Sequence, residues 1–352
     1  MIDSTVCVVA GVALVSVLAT GAMRAYALRK SMLDIPNSRS SHAAPVPRGG
    51  GVALVLAFFL GALALTCLGI MDAAFSRALV GSSAWVALVG FLDDHKSLPT
   101  SVRLFVQLGS ATLLVALLGG VPAANLANWG LHGTLVGAAI AVLVVVWSTN
   151  LFNFMDGIDG IAGSEAIFVA ASAGFLNWYA HGSFELTAVM ICIASATAGF
   201  LVWNWPPAKI FMGDVGSGFL GFALAALGLA ASRQGTLPLE VLGILGGVFF
   251  VDATITLLRR LFRGERVSQA HRTHAYQHLA RRFGSHQAVT LGLWIVNALW
   301  LFPWAWYAVR RPNLVGVALF AALVPIAILL ALAGSGKPEE SGTHASSGAG
   351  RD

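Results

Sequence analysis

The stretch Asn150-Leu-Phe-Asn-Phe-Met-Asp-Gly-Ile-Asp-Gly-Ile-Ala162 lies between two long apolar runs. It holds two carboxylates three residues apart, Asp156 and Asp159, each followed by glycine, with Asn150 and Asn153 upstream. Residues three apart on a helix share a face, so we expect both carboxylates to point toward one cation or one phosphate-bound metal. Helix capping is the alternative, but it explains one acid better than two. Because ionisable residues at the edge of an apolar run are typical of functional sites, the stretch predicts a reaction centre at a membrane surface.

The composition is that of a membrane protein. Of the 352 residues, 57% are hydrophobic and only 11% are charged, with a mean hydropathy of +0.79. A soluble domain carries about 25% charged residues. The net charge of +5 falls mainly in short loops, so we expect no nucleic-acid partner. Cys7, Cys67 and Cys192 lie inside apolar runs and are interpreted as packing residues.

Repeated apolar runs predict an all-α polytopic fold with about 10–11 transmembrane helices, since about 20 apolar residues cross a bilayer. The predicted spans are Thr5–Met23, Gly51–Met71, Arg77–Leu92, Val102–Val121, Leu135–Thr149, Ile161–Ala180, Leu186–Trp203, Val215–Ala231, Leu237–Leu258, Ala288–Val309 and Asn313–Ala333. We expect residues 1–333 to form one integral membrane domain. Residues 334–352 are rich in Gly and Ser and predict a disordered tail.

The distribution of Lys and Arg predicts the orientation. Loops after odd-numbered spans hold most of them, whereas the opposite side keeps only Arg77, Arg233, Arg310 and Arg311. By the positive-inside rule the richer side is cytoplasmic. Asp3 precedes the first apolar segment and the basic residues follow it, which predicts a retained span with its N-terminus outside.

Four further polar loops fall on the predicted cytoplasmic side. The loop 34–51 combines Pro and Gly with Arg39, His42 and Arg48, donors that suit an anion; a plain positive-inside loop would explain its arginines but not its glycine triplet. Asp93 and Asp94 end an apolar helix, where adjacent acids repel each other and oppose the helix dipole, so a site is favoured over a solvated loop.

The last two loops add a glycine-rich acid and a basic cluster. Asp214 lies between Gly213 and Gly216, in a backbone able to approach phosphate or metal closely. The loop 266–278 holds His271, Arg272, His274 and His278, which favour phosphate pairing over a zinc site because no Cys or Glu completes one.

Together these loops predict phosphoryl transfer. Acids without thiolates favour Mg²⁺, with Mn²⁺ as the alternative, and Arg, His and Lys suit phosphates. At a membrane edge we expect one substrate to be a lipid phosphate and the other a soluble nucleotide.

The chain resembles the polyprenyl-phosphate N-acetylhexosamine-1-phosphate transferase superfamily (glycosyltransferase family 4) over nearly its whole length. The residues that this chain has in the family's motifs look closest to those of bacterial O-antigen and exopolysaccharide initiating enzymes. They look less like those of the muramoyl-pentapeptide enzyme. The motifs that carry the resemblance are Asp93-Asp94, Asn153-Phe-Met-Asp-Gly-Ile-Asp-Gly160, Phe211-Met-Gly-Asp-Val-Gly-Ser217 and His271-Arg-Thr-His274.

The resemblance implies Mg²⁺-dependent transfer of a sugar-1-phosphate from a UDP-N-acetylhexosamine to undecaprenyl phosphate, at the cytoplasmic face of the bacterial inner membrane. In the family, the first tandem acid is proposed to accept a proton from the lipid phosphate, which here is Asp93. Asn204 matches a uridine contact. The tandem acids are often followed by a third carboxylate, where this chain has Ser97, so a three-acid site does not carry over.

The site prediction combines the loops and the resemblance. The catalytic candidates are Asp93, Asp94, Asp156, Asp159, His271 and His274. The substrate-binding candidates are Arg48, Asn150, Asn153, Asn204, Lys209 and Arg272. The metal candidates are Asp214, Asp94 and Asp156. The sugar (GlcNAc, GalNAc, FucNAc or QuiNAc), the pathway and a homodimer stay open, and the alternatives are a secondary transporter of an anionic solute and a polyprenyl-phosphate phosphatase.

Overall fold

The computed structural model describes residues 1–36, 44–119, 134–265 and 271–338, and these residues are mostly helical. The first half of the chain contains the helices α1 (Ile2–Arg29), α2 (Gly51–Cys67), α3 (Ala73–His95), α4 (Thr100–Leu118), α5 (Thr134–Met155), α6 (Ile161–Tyr179) and α7 (Phe184–Asn204). The second half contains α8 (Asp214–Arg233), α9 (Leu239–Leu245), α10 (Gly247–Phe262), α11 (Ala275–Phe283), α12 (His286–Val296), α13 (Phe302–Arg310) and α14 (Val315–Ala333).

Three short elements accompany these helices, and one of them is a 3₁₀ turn (Pro312–Leu314) directly before α14. A two-stranded antiparallel ribbon pairs β1 (Leu33–Asp34) with β2 (Val46–Pro47). One π-helical turn (Asn297–Leu301) joins α12 to α13 and ends two residues before Pro303, whose missing N–H interrupts regular helical hydrogen bonding.

The helices confirm the predicted all-α polytopic fold. Within the described residues, eight helices are long and apolar enough to cross a membrane, or nine if one bent pair counts as a single span. The two remaining predicted spans coincide with α2, which has only 17 residues, and with α6, which is outside that set of nine. The end of the predicted span Val102–Val121 lies outside the described residues.

The predicted span Leu237–Leu258 is bent. The chain forms α9 and α10 here, and their axes meet at 82°. Two consecutive glycines, Gly246 and Gly247, mark the break, where the helix-forming tendency is weakest. A Cβ on Gly247 would lie 2.6 Å from Leu323 Cδ2, so a larger residue at this position would displace that side chain of α14.

Helix α8 is the centre of the molecule, and every residue from Val215 to Ser232 is buried. It packs against α3 and α5, and its many Gly and Ala residues let neighbouring backbones come close. A Cβ on Gly221 would lie 2.3 Å from Ser148 O of α5, and Ser148 Oγ donates a hydrogen bond to Gly221 O at 2.8 Å. Because α8 begins at Asp214, this packing fixes that carboxylate relative to α5.

The predicted tail begins later than residue 334. Residues 334–338 are described and hydrogen-bonded to the rest of the protein, so the expected disorder is wrong for these five positions. Residues 339–352 lie outside the described part of the chain.

We predict that Gly221→Ala lowers the thermal unfolding midpoint of the purified protein, because the added methyl group would force α5 and α8 apart. Overpacking of this kind costs about 1–3 kcal/mol. The control is Gly109→Ala on α4, where a Cβ would meet nothing within 4 Å. Unfolding is measured by tryptophan fluorescence in detergent. Equal unfolding midpoints for the two variants would contradict the importance of this contact.

Candidate active site

The carboxylate of Asp94 caps the N-terminus of α8. Its oxygens accept hydrogen bonds from the N–H groups of Asp214 at 3.0 Å and Val215 at 3.3 Å. Gly90 allows the approach, since a Cβ there would lie 2.6 Å from Asp214 O. An acid at the unfavourable C-terminal end of its own helix is therefore stabilised by the favourable N-terminal end of another.

Arg103 joins the two other acids at this point. Its Nη1 lies 2.7 Å from Asp93 Oδ2 and 3.2 Å from Asp214 Oδ2. Asp93 also accepts the N–H of Leu98 at 2.6 Å. Arg103 was not among the predicted site residues, although a lone arginine just inside an apolar span is a signal of function. The structure thus brings the tandem acids of α3 and the first residue of α8 into one ion-paired cluster.

The asparagines of α5 line the same place. Asn153 lines the same cavity as Asp214, and its Nδ2 donates to Ser217 Oγ at 3.2 Å. Asn150 Nδ2 donates to Gln107 Oε1 at 2.7 Å. Gln107 was also missed, and its position on α4 beside Arg103 is apparent only once α4 and α5 are packed together.

Asp156 lies directly after α5, and it interacts electrostatically with Asp214, Asp94 and Asp159. Loss of solvation raises the pKa of Asp156 to about 8, and the three neighbouring carboxylates add to the rise. The group is therefore mostly protonated at neutral pH unless positive charge approaches it. A cation-binding role matches that requirement.

Asp156 and Asp159 lie between two helices, so the prediction of two carboxylates on one helical face is wrong. Residues 156–160 are not helical, since α5 ends at Met155 and α6 begins at Ile161. Asp159 Oδ2 instead accepts the N–H of Ala208 at 3.0 Å and lies 3.3 Å from His286 Nδ1. Asp159 therefore belongs to the wall formed by the loop 205–213 and the start of α12.

The glycine triplet that ends the loop 34–51 packs on the turn before α8. The N–H groups of Gly50 and Gly51 donate to Phe211 O and Met212 O, both at 2.9 Å. A Cβ on Gly51 would lie 2.5 Å from Gly216 Cα, so only glycine permits this approach. The contact brings Arg48 near Asp94, with which it interacts electrostatically. Arg39 and His42 lie outside the described residues.

Two predicted substrate contacts lie at the edge of this arrangement. Asn204 is buried, with Oδ1 accepting from Gly160 N and Nδ2 donating to Ile210 O, both at 3.0 Å. The amino group of Lys209 lies 5.7 Å from the centre of the Trp203 ring, and Arg24 lies 6.0 Å from it. In this conformation Asn204 joins two loops, and its contact with uridine stays a prediction.

Residues 271–274, which we name the histidine loop, close the site from the other half of the chain. The ring centres of His271 and His274 are 5.0 Å apart, and both rings line a cavity that also contains Arg103 and Asp214. Tyr276 Oη donates to Phe154 O at 3.0 Å, which ties α11 to the end of α5. Burial raises the pKa of Tyr276 well above its usual value, so this hydroxyl keeps its proton. The carbonyl of Arg272 accepts from Arg281 Nη2 at 3.1 Å, and a phosphate contact by its guanidinium stays a prediction.

These elements enclose a polar cavity of ≈ 360 Å³ between α3, α4, α5, α8 and the histidine loop. Six of its lining residues are Arg103, Asn150, Asn153, Asp214, His271 and His274. The clustered carboxylates are hard oxygen donors of the kind that Mg²⁺ prefers. Within the described part of the chain, no three His, Cys, Asp or Glu side chains converge as ready-made metal ligands. The metal and its ligands Asp214, Asp94 and Asp156 therefore stay predictions.

Fold and site define a polytopic membrane protein with an acidic, arginine-paired centre where several helices end. Residues 76–232 match the family described as glycosyl transferase family 4, which confirms the resemblance predicted from the motifs. This segment contains Asp93, Asp94, Asp156, Asp159 and Asp214.

Relatives extend the similarity beyond that segment. The chain is 27% identical over 288 residues to a probable undecaprenyl-phosphate N-acetylglucosaminyl 1-phosphate transferase of Bacillus subtilis, covering 79% of this chain and 78% of that protein. It is 28% identical over 351 residues to a decaprenyl-phosphate N-acetylglucosaminephosphotransferase of Mycobacterium leprae, covering 89% and 86%. A phospho-N-acetylmuramoyl-pentapeptide-transferase of Pelagibacter ubique is 30% identical over 176 residues, covering 45% and 47%.

We predict that Arg103→Gln lowers the thermal unfolding midpoint more at pH 8 than at pH 5. Without the guanidinium, the ionised carboxylates of Asp93 and Asp214 repel each other, and protonation at the lower pH relieves that repulsion. The matched control is Arg311→Gln, at an exposed position at the end of α13. Midpoints that fall equally at both pH values would contradict an electrostatic role for Arg103.

Proposed function

We propose that the protein transfers N-acetylhexosamine-1-phosphate from a UDP-N-acetylhexosamine to undecaprenyl phosphate and releases UMP. The observation that carries this proposal is the cluster of Asp93, Asp94 and Asp214 around Arg103 at the start of a buried membrane helix. Relatives that cover most of the chain are polyprenyl-phosphate sugar-phosphate transferases by name, which supports the same reaction class here.

The proposed reaction exchanges one phosphoanhydride bond for another. An oxygen of the lipid phosphate bonds to the β-phosphorus of the UDP-sugar, the bond from that phosphorus to the bridging oxygen breaks, and UMP leaves. Two anions must be held together and charge develops on the leaving phosphate, so positioning and electrostatic stabilisation dominate catalysis. Arg103 supplies positive charge at the cavity, Arg48 supplies it near Asp94, and the rings of His271 and His274 supply hydrogen-bond donors.

We propose Mg²⁺ as the cofactor, with Mn²⁺ as the alternative, held by Asp214 together with Asp94 and Asp156. When bound, such an ion neutralises phosphate charge. The donor chemistry supports this assignment, because Asp156 needs nearby positive charge to ionise at neutral pH. Arg103, which already pairs with Asp93 and Asp214, orients those two carboxylates.

A membrane location of the site supports a lipid acceptor. An apolar cavity of ≈ 270 Å³, lined by Met155, Asp252 and Tyr276 among others, lies beside the histidine loop and gives room for part of a prenyl chain. The excess of Lys and Arg in the loops near the site supports a cytoplasmic orientation. We therefore propose the bacterial cytoplasmic membrane as the location, and a homodimer stays a prediction.

The cellular role follows from the product. An undecaprenyl-diphosphate-sugar starts the assembly of a cell-surface polysaccharide, and we propose initiation of an O-antigen-type polymer as that role. GlcNAc is the sugar to test first, because the Bacillus subtilis and Mycobacterium leprae relatives carry N-acetylglucosamine in their names. GalNAc, FucNAc and QuiNAc differ from it by one or two hydroxyl groups.

The secondary transporter is the weaker alternative. That interpretation depends on Asp252 as a deep, functional charge. The carboxylate of Asp252 accepts the N–H groups of Ala275 and Tyr276 and the hydroxyl of Ser335, so it is committed to the structure around the histidine loop. A polyprenyl-phosphate phosphatase would use a similar membrane-edge site and is separated from a transferase by its product.

We predict that the purified full-length protein releases UMP from UDP-GlcNAc when both undecaprenyl phosphate and Mg²⁺ are present. Omitting the lipid phosphate, or replacing it with undecaprenol, is expected to abolish release, since the phosphate is the nucleophile. The measurement is chromatographic detection of UMP and of inorganic phosphate. The proposal is contradicted if no UMP is released from any of the UDP-GlcNAc, UDP-GalNAc, UDP-FucNAc and UDP-QuiNAc donors. Release of inorganic phosphate without UMP would favour the phosphatase.

We further predict that Asp214→Asn reduces kcat by roughly 100-fold or more, the scale seen when one preorganised electrostatic group is removed. Asp93→Asn is expected to have the smaller effect at pH 8. A phosphate monoester has a second pKa of about 6, so the lipid phosphate is already mostly dianionic there and needs no base. Asp3→Asn, at the exposed N-terminus, is the control.

The pH–rate profile of Asp93→Asn decides between the two roles. Under our proposal the deficit of this variant is nearly constant between pH 7 and pH 9. A rate that recovers as the pH rises would instead identify Asp93 as a general base.

A further inference from the structure

The chain end following α14 folds back onto the histidine loop. We name residues 334–338 the C-terminal strap. Helix α14 ends at Ala333, and the next residue, Gly334, has a φ of +108° that turns the chain out of the helix. The residues that follow lie against α10 and against the segment that leads into α11.

The strap is fixed by hydrogen bonds from two directions. Arg259 Nη1 donates to Ser335 O at 2.5 Å, and Arg263 Nη1 donates to Gly336 O at 2.6 Å. The N–H of Gly336 donates to Thr273 O at 2.6 Å, between the two predicted catalytic histidines in the sequence. The strap is therefore bonded both to the end of α10 and to the histidine loop itself.

Asp252 joins the strap to the first turn of α11. This carboxylate is fully buried, and its Oδ1 accepts Ser335 Oγ at 2.7 Å and the N–H of Ala275 at 2.9 Å. Its Oδ2 accepts the N–H of Tyr276 at 3.2 Å, and His274 Nδ1 lies 3.8 Å from Oδ1. One buried carboxylate thus holds the strap and the start of the helix whose N-cap is His274.

Neighbouring residues of α10 lie too close to Gly336 for a larger residue to fit without displacing them. Its φ is +70°, and a Cβ there would lie 3.0 Å from Arg259 Cβ and 3.1 Å from Thr256 Cα. Ser335 is also fully buried, so its hydroxyl has no access to water as a substitute partner. Both features indicate a specific contact.

We infer that the C-terminal strap and Asp252 position His271 and His274 against the carboxylate cluster. Ser335, Gly336 and Asp252 are positioning residues in this scheme, because they act through the histidine loop and do not line the polar cavity. The hydrogen bond from Tyr276 Oη to Phe154 O connects the start of α11 to the end of α5, next to Asp156. The inference rests on the proposed function only in its prediction about rate.

The test uses the full-length variants Ser335→Ala and Gly336→Ala in detergent. The matched control is Gly316→Ala, on α14, where a Cβ would meet nothing within 4 Å. Hydrogen–deuterium exchange is followed in peptides covering residues 271–283 and, for comparison, residues 205–213. UMP release gives kcat and KM for the UDP-sugar in the same preparations.

Both strap variants are expected to raise exchange in residues 271–283 by roughly tenfold, the scale of one lost hydrogen bond to a charged group. Exchange in residues 205–213 stays unchanged, and kcat falls more than KM rises. Unchanged exchange in residues 271–283, or an equal rise in both segments, would overturn the inference. Raised local exchange in a protein whose wild type releases no UMP would uphold the strap contact while refuting the transferase proposal.

Discussion

Repulsion among four neighbouring carboxylates is the constraint on which the architecture of the site depends. Each acid has a separate means of compensation. Asp94 faces the N–H groups at the start of α8, Asp93 and Asp214 share the guanidinium of Arg103, and burial raises the pKa of Asp156 to about 8, which favours its protonated form until positive charge approaches. For these means to act together, the end of α3 must meet the start of α8, and α4 must present Arg103 between them.

Most of the fold, and many of the residues that come together at the candidate site, could be predicted from the sequence. Apolar runs of bilayer length identify the spans because a membrane imposes one length scale on every helix. Alternation of the spans then brings separate polar loops to one side, which is why Asp94 and Asp214 could be grouped before their helices were known to touch. The motifs identified the same acids independently, through the family resemblance.

The pairwise geometry could not be predicted. The assumption of a shared helical face for Asp156 and Asp159 failed because Gly157 and Gly160 follow them, and Gly160 has a φ of +75°. Arg103 was missed because its partners lie on other helices. The order of residues 334–338 depends on hydrogen bonds to distant groups such as Asp252, and no local pattern of Gly and Ser reveals such partners.

The contact between Gly51 and Gly216 constrains how this protein can diverge. Backbone meets backbone there, so no side chain encodes the contact and no compensating substitution can restore it once either glycine is replaced. Neighbouring positions such as Val52 make no such demand and are free to drift among apolar residues of similar size. In a saturation mutagenesis experiment, these two positions are therefore intolerant sites for reasons of shape alone, although neither carries any chemistry of its own.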